Sequence, residues 1–175
     1  ITQTTQRGVI DWGTFNVGSA ATVNFLQPNS SAATLNRVLD PNPSQIFGHL
    51  NANGQVFLTN PSGIYFGRSA SINVGALTAT THSISNSDFM AGILNFTRSG
   101  ATGKIENEGT LTAALGGYIA LLAPEVRNSG VIIAQGGTVA LAAGEAFELQ
   151  FDGSRLANVR VEPATIAALV ENGNA

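Results

Sequence analysis

The chain has 175 residues, enough for one domain with a sizeable core. Only 11% of them are charged and the net charge is −3, which argues against a nucleic-acid binder, because such proteins carry a basic footprint. Cys is absent, so disulfides and thiol chemistry are excluded, and 20 Gly among many Ala, Ser, Thr and Asn describe a turn-rich β protein.

The opening, Ile1–Thr5, is already β-like. Neither a signal peptide nor a membrane span is present, and the start reads as that of a mature or trimmed chain. Residues Ile1–Phe25 are expected to cap the first turn of the fold, with Trp12 and Phe15 as apolar cover. Trp12 has two open roles, a core residue or a platform on which a ligand stacks. In Leu35-Asn36-Arg37-Val38 a charge sits amid apolar residues and needs a reason. Arg37 either forms an internal ion pair, with Asp40 as the nearby candidate, or contacts a partner.

The segment Leu50–Gly67 alternates short β runs with turn formers. Asn53-Gly54 precedes Val56-Phe57-Leu58, and Asn60-Pro61-Ser62-Gly63 follows it. Asn tolerates the left-handed region, Gly enters it without steric cost and Pro presets φ. A chain that turns this often builds a coil of strands. Residues 83–97 break the pattern and are expected to leave the body as an excursion, a hairpin around Asn86-Ser87-Asp88.

The second half repeats. Ile105–Ala113 aligns with Val126–Ala134, and Gly117–Leu121 with Gly137–Leu141, at an offset near 20 residues. A fixed period of that size marks a solenoid. Alternation points Leu111, Ala113, Ile119 and Leu121 to one face, with Thr110, Thr112 and Tyr118 on the other. The expected fold is all-β, a right-handed parallel β-helix occupying residues 1–175 as a single domain. Asn107 and Asn128 fall at the same corner of adjacent turns, either as an inward ladder of stacked amides or as exposed turn residues. The tail Leu169–Gly173 resembles the start of another turn, which would place the end of the chain inside a longer solenoid; Ala164–Val170 also reads as a short helix.

Asn60-Pro61-Ser62-Gly63-Ile64 resembles the Asn-Pro-Asn-Gly-Ile motif in the secretion domain of two-partner-secreted exoproteins, the filamentous-haemagglutinin-like adhesins and haemolysins of Gram-negative bacteria. Ser62 replaces the family's Asn, and Ser suits a turn nearly as well. Further blocks match in order from about Ile10 to Gly144, among them Ile10-Asp11-Trp12, Leu35-Asn36-Arg37-Val38 and Asn53-Gly54-Gln55-Val56-Phe57-Leu58. The resemblance implies a secretion module exported across the outer membrane to the cell surface. Its implied partner is an Omp85-type outer-membrane transporter with periplasmic POTRA domains. The resemblance also implies that the segment folds first outside and templates the turns that follow. Leu35, Asn36, Arg37 and Val38, with Asn60, Pro61, Ser62, Gly63 and Ile64, are the residues expected either to be read by the transporter or to stabilise the fold.

Nothing in the sequence assembles catalysis. Asp11, Asp40, Asp88 and Asp152 are far apart, and Glu106 and Glu108 flank a turn and are expected to face solvent. His49 and His82 lack the spacing of a metal pair, and each is expected as a surface or structural residue. Ser99–Lys104 fails as a phosphate loop, because its first Gly is missing and Ile105 stands where a hydroxyl should meet Mg²⁺. The expectation is therefore no enzyme, no cofactor, no metal, no nucleic acid, and a monomer. The alternative function is an adhesin module that binds a host or matrix glycan or protein through exposed Thr, Ser, Asn and Tyr.

Overall fold

Alternating aliphatic and small polar residues, interrupted every few positions by Gly, Asn or Pro, leave the chain short strands and tight corners. The computed structural model describes residues 1–164 and 168–173, and arranges them as a parallel β-helix with three faces.

The long face stacks β1 (Arg7–Trp12), β3 (Ala33–Val38), β6 (Gln55–Thr59), β9 (Ala76–Thr80), β13 (Tyr118–Ala123) and β16 (Thr138–Ala143). The charged face stacks β4 (Ser44–Ile46), β7 (Ile64–Phe66), β11 (Ile105–Asn107), β14 (Glu125–Asn128) and β19 (Leu169–Asn172). The polar face stacks β2 (Thr22–Phe25), β5 (His49–Ala52), β8 (Ser71–Val74), β12 (Thr110–Ala113) and β15 (Val131–Ala134). From β3 onward the chain visits long, charged and polar faces in that order, turn after turn. The register follows the sequence repeat: Ile105 lies opposite Val126, Thr110 opposite Val131, and Tyr118 opposite Thr138.

Period-2 alternation sends one set of side chains inward. Val56, Leu58, Ile72, Leu111, Ile119 and Leu121 belong to this interior and are buried. Successive corners approach closely. A Cβ on Gly137 would come within 1.7 Å of the Gly117 carbonyl oxygen one turn below, so only glycine fits there.

The first 25 residues contribute two strands to the coil itself. β1 pairs in parallel with β3, and β2 with β5. Ile1–Gln3 lie along the outer edge of the polar face, where Gln3 donates its backbone N–H to Leu26 and Leu26 donates to Ile1. Val17 does the same for β4 through a bridge to Ile46. Trp12 is half-buried and packs edge-on against Phe15 at 5.3 Å.

Two excursions cover the outside of the long face. The first contains α1 (Asn86–Ala91) and β10 (Asn95–Thr97); the second is a hairpin of β17 (Ala146–Asp152) and β18 (Arg155–Glu162). β10, β17 and β18 form an antiparallel sheet. The expected hairpin around Asn86-Ser87-Asp88 is thus a helical turn. Ser85 caps it by accepting from the Asp88 N–H, and Gly92, at φ 77°, closes it. Ser, Asn and Asp serve helix caps and turns through the same short polar side chains, so the local sequence suits both.

The excursions bury a second cluster in which Leu35, Phe57, Tyr118, Ala120 and Leu122 meet Phe89, Phe96, Phe147, Leu149 and Leu156. β13 is therefore buried at every position, as strands covered on both faces are. Tyr118 points out of the helix yet is fully covered, and burial raises its hydroxyl pKa. Of the tail, residues 165–167 lie outside the described residues, so the reading of Ala164–Val170 as a helix cannot be placed. Leu169–Asn172 is a strand, paired in parallel with β14.

Candidate functional site

The segment Leu35–Val38 lies in β3 and obeys its alternation. Asn36 and Val38 point inward and are buried; Leu35 points outward and is buried under the excursions. Asn36 occupies an interior column between Ile10 and Leu58. Its amide is satisfied there: Trp12 Nε1 donates to Oδ1 at 3.1 Å, and Nδ2 donates to the Phe57 carbonyl at 3.2 Å. Trp12 is thereby fixed as the partner of Asn36.

Arg37 points outward at the rim of the first excursion. Its guanidinium pairs with Asp11 at 3.1 Å, donates to the Ile84 carbonyl at 3.2 Å and reaches Asn86 Oδ1. The expected pairing with Asp40 does not form. Asp11 is directly opposite Arg37 on the neighbouring strand, whereas Asp40 lies past the strand end. Asp40 instead accepts from the backbone and side-chain N–H groups of Asn42.

Asn60–Ile64 makes the corner between β6 and β7. Asn60 is fully buried. Its Oδ1 accepts from the Ser62 N–H at 2.9 Å, and its Nδ2 donates to the Asn42 carbonyl at 3.1 Å and to Ser44 Oγ at 3.0 Å. The Gly63 N–H closes the turn on the Asn60 carbonyl. Ser62 Oγ donates to the Asp40 carbonyl at 2.9 Å. Gly63 has φ 120°, and a Cβ there would lie 2.9 Å from the Lys104 carbonyl oxygen. Gly103 donates to Pro61 O, and Ile64 to Lys104 O. The motif thus bonds to the loop 39–43 of one turn and to residues 103–104 of the next. Of its five residues only Pro61 is exposed, with Ser62 half-buried.

The two candidate segments converge on one corner from opposite sides. β3 runs into the loop 39–43, and that loop receives the bonds from Asn60 and Ser62.

A second polar column lies further along. Asn107 Nδ2 donates to Asn128 Oδ1 at 2.8 Å, and Asn128 Nδ2 to Asn172 Oδ1 at 2.8 Å. Asn107 is fully buried and also accepts from the Gly109 N–H. These amides continue the interior column of Ile46 and Phe66.

Many of the surface charges are paired. Lys104 meets Glu106, Arg127 bridges Glu125 and Glu171, and Arg68 meets Glu108 at 2.9 Å. The Arg68 guanidinium bonded to Glu108 holds that carboxyl below its ordinary range. His49 is exposed, and His82 is fully buried. Since a carbonyl only accepts, His82 Nε2 carries the proton and donates to Gly144 O at 3.0 Å, leaving Nδ1 to accept from Thr81 Oγ1 at 3.3 Å. Burial lowers its pKa. Among the described residues no group of three His, Cys, Asp or Glu side chains could hold a metal ion, and no helix is long and apolar enough to cross a membrane.

Two features escaped the sequence reading. The β17–β18 hairpin was signalled by alternating Phe147, Leu149 and Phe151 ahead of a two-residue Gly153-Ser154 turn, with Gly153 at φ 60°. The loop 39–43 carries Pro41, Asn42 and Pro43, but its role as the partner of Asn60 depends on contacts between turns, which no local pattern encodes.

Comparison with known proteins agrees with this architecture. The TPS secretion domain model matches residues 1–175. The crystal structure of the HMW1 secretion domain from Haemophilus influenzae superposes with a TM-score of 0.87 at 34% identity, covering 93% of this chain and 44% of that one. Two sequences named heme/hemopexin-binding protein, both from Haemophilus influenzae, are also similar. One is 35% identical over 98% of this chain and 20% of its own length; the other is 39% identical over 62% of this chain and 12% of its own length. The chain therefore spans a fifth or less of the curated relatives it matches. A parallel β-helix with this corner, matched by the family model from end to end, belongs to the TPS secretion domains, the two-partner secretion modules of exoproteins exported through the outer membrane of Gram-negative bacteria.

Proposed function

We propose that this domain is the part of its exoprotein that an Omp85-type outer-membrane transporter recognises through periplasmic POTRA domains. Once outside, it folds first and templates the turns that follow at the cell surface. The observation that carries the reading is the far end of the coil. Among the described residues, β15, β16 and β19 are each the last strand of their sheet, with the inward-facing Val139 and Val170 exposed and Ile132 and Leu141 only partly covered. Open backbone edges and a half-covered interior are what an incoming turn would complete, each new turn resting only on its neighbour. While unfolded, the segment would be read as an extended strand added to a sheet edge, main-chain bonds supplying affinity and alternate side chains specificity.

The test is secretion of this domain behind a signal peptide, in cells with and without the paired transporter, with Arg37→Ala and Asn60→Ala beside it. Export that requires the transporter supports the reading, and equal export without it overturns the reading. Circular dichroism of each purified variant separates a lost contact from a lost fold.

The outer surface of the polar face supports a second reading, direct adhesion. Asn24, Asn51, Asn73, Thr110 and Thr112 lie there in register on a flat sheet free of charged side chains. Such a face suits a neutral glycan, and binding of the purified domain to immobilised glycans tests it. Haem capture, suggested by the names of the relatives, is proposed only for the whole exoprotein. This domain offers one exposed imidazole, His49, so any shift of the haem Soret band on adding it should be lost in His49→Ala.

A further inference from the structure

The segments that leave the coil touch the long face from its first strand to its last. In β1, Arg7 donates to the Phe89 carbonyl at 3.0 Å, and its guanidinium lies 5.2 Å from the Phe89 ring. In β3, Arg37 holds Ile84 and Asn86. In β6, the Phe57 ring meets Phe89 at 5.2 Å and Phe96 at 6.4 Å. Just past β9, His82 bonds to Gly144 and lies 4.7 Å from the Phe147 ring. In β13, Tyr118 meets Phe151 at 5.4 Å. In β16, Thr138 Oγ1 donates to the Leu156 carbonyl at 2.8 Å.

The outer layer is also closed on itself. β10 pairs with β17, and Arg98 pairs with Glu145 at 2.7 Å where the two excursions lie side by side. A strand of three residues has no stability of its own, so β10 depends on β17, where Phe96 lies opposite Phe147.

We propose that this outer layer is a brace that makes the domain fold as one unit, so that no turn is held until the chain through about Glu162 has been delivered. A bare solenoid couples each turn only to its neighbours and can form turn by turn. Here β1 and β16, at opposite ends of the long face, are joined by a path that bypasses the turns between them. The inference rests on the reading of the domain as the first part to fold outside the cell, and it gives that step a threshold. A chain delivered in part, from either end, lacks one half of the brace and stays free to slide back. A chain delivered through both excursions locks along its whole length.

The test uses the purified domain without any transporter, so its failure leaves the secretion reading untouched. Trp12, the only tryptophan, reports on the first turn, and far-UV circular dichroism reports on all turns. In urea the two transitions of the wild type are expected to coincide. In Phe89→Leu/Phe147→Leu, which weakens the brace and leaves the coil interior intact, they are expected to separate by about 0.5 M or more. Separation in the wild type, or coincidence in a folded variant, would overturn the proposal. If the variant does not fold, native-state hydrogen exchange of the wild type decides. The most protected amides of β1, β6 and β16 are expected within about threefold of one another, and a graded loss of protection from β6 toward both ends would overturn the proposal.

Discussion

Asn60 and Ser44 face each other inside the corner of the coil, with Nδ2 of Asn60 3.0 Å from Oγ of Ser44. The same Asn60 side chain also holds the Asn42 carbonyl and the Ser62 N–H. One buried amide thus ties the turn that contains it to the turn before.

Removing that amide leaves its partners, the Asn42 carbonyl, Ser44 Oγ and the Ser62 N–H, without their bonds. Asn60→Ala is expected to destabilise the domain by about 2–3 kcal/mol, since each buried polar group left unpaired costs on the order of 1–3 kcal/mol and the site relaxes in part. Asn60→Asp keeps the acceptor for Ser62 but sets a buried carboxylate oxygen against the Asn42 carbonyl, and should cost at least as much as Asn60→Ala. Urea unfolding of the purified variants measures both. Export that fails in proportion to lost stability would assign Asn60 to folding.

Arg37 tests the other half of the candidate site. Its contacts lie within the domain, but its side chain is still 23% exposed. Arg37→Ala should cost about 1–2 kcal/mol, because charged hydrogen bonds are lost while solvent screens the ion pair. Asp11→Ala should cost less, about 0.5 kcal/mol, with a double-mutant cycle showing coupling. A folded Arg37→Ala that is exported at the wild-type level removes Arg37 from the transporter interface.

Gly63 is the strained position of the motif. At φ 120°, with a carbonyl oxygen 2.9 Å from where a Cβ would stand, alanine is both conformationally and sterically disfavoured. Gly63→Ala is expected to lower stability by about 1–3 kcal/mol. Thermal melting measures it, and an unchanged midpoint would remove the turn geometry from the account of this motif.

His82 makes stability depend on pH. Burial holds the folded imidazole below its ordinary 6.5, so the unfolded chain binds a proton more readily than the folded one. Nearby Glu145 opposes this shift and Arg98 reinforces it, with burial dominant. The contribution is complete above the unfolded pKa and is lost as pH falls from about 6.5 toward the folded value. The urea midpoint should decline across that window in the wild type and decline less in His82→Gln. Equal slopes in the two proteins would exclude His82 as the source.

Much of the coil was legible locally. The 21-residue offset of Ile105 and Val126 is the length of one turn, and it appears in the register of their strands. Alternation in Leu111–Ala113 and Ile119–Leu121 assigned inward faces correctly, because neighbouring side chains of a strand point to opposite sides. Alternation could not say what covers the outward side. Tyr118 points outward, yet it is buried as deeply as Ile119. Arg37 was marked as a charge in need of a partner, but the nearer carboxylate in sequence, Asp40, was the wrong one.

By itself the sequence determined the β-helix, its period and its family, because strand alternation, corner residues and a repeat near 20 residues are properties of neighbouring residues and stacked copies. The tertiary structure decided which partner each polar group takes and where the excursions lie. Asp11 reaches Arg37 across 26 residues, Phe89 reaches Arg7 across 82, and His82 reaches Gly144 across 62. Those contacts are set by how turns stack and how the outer layer folds back over them, which is a consequence of burying one apolar face against another and not of any local preference along the chain.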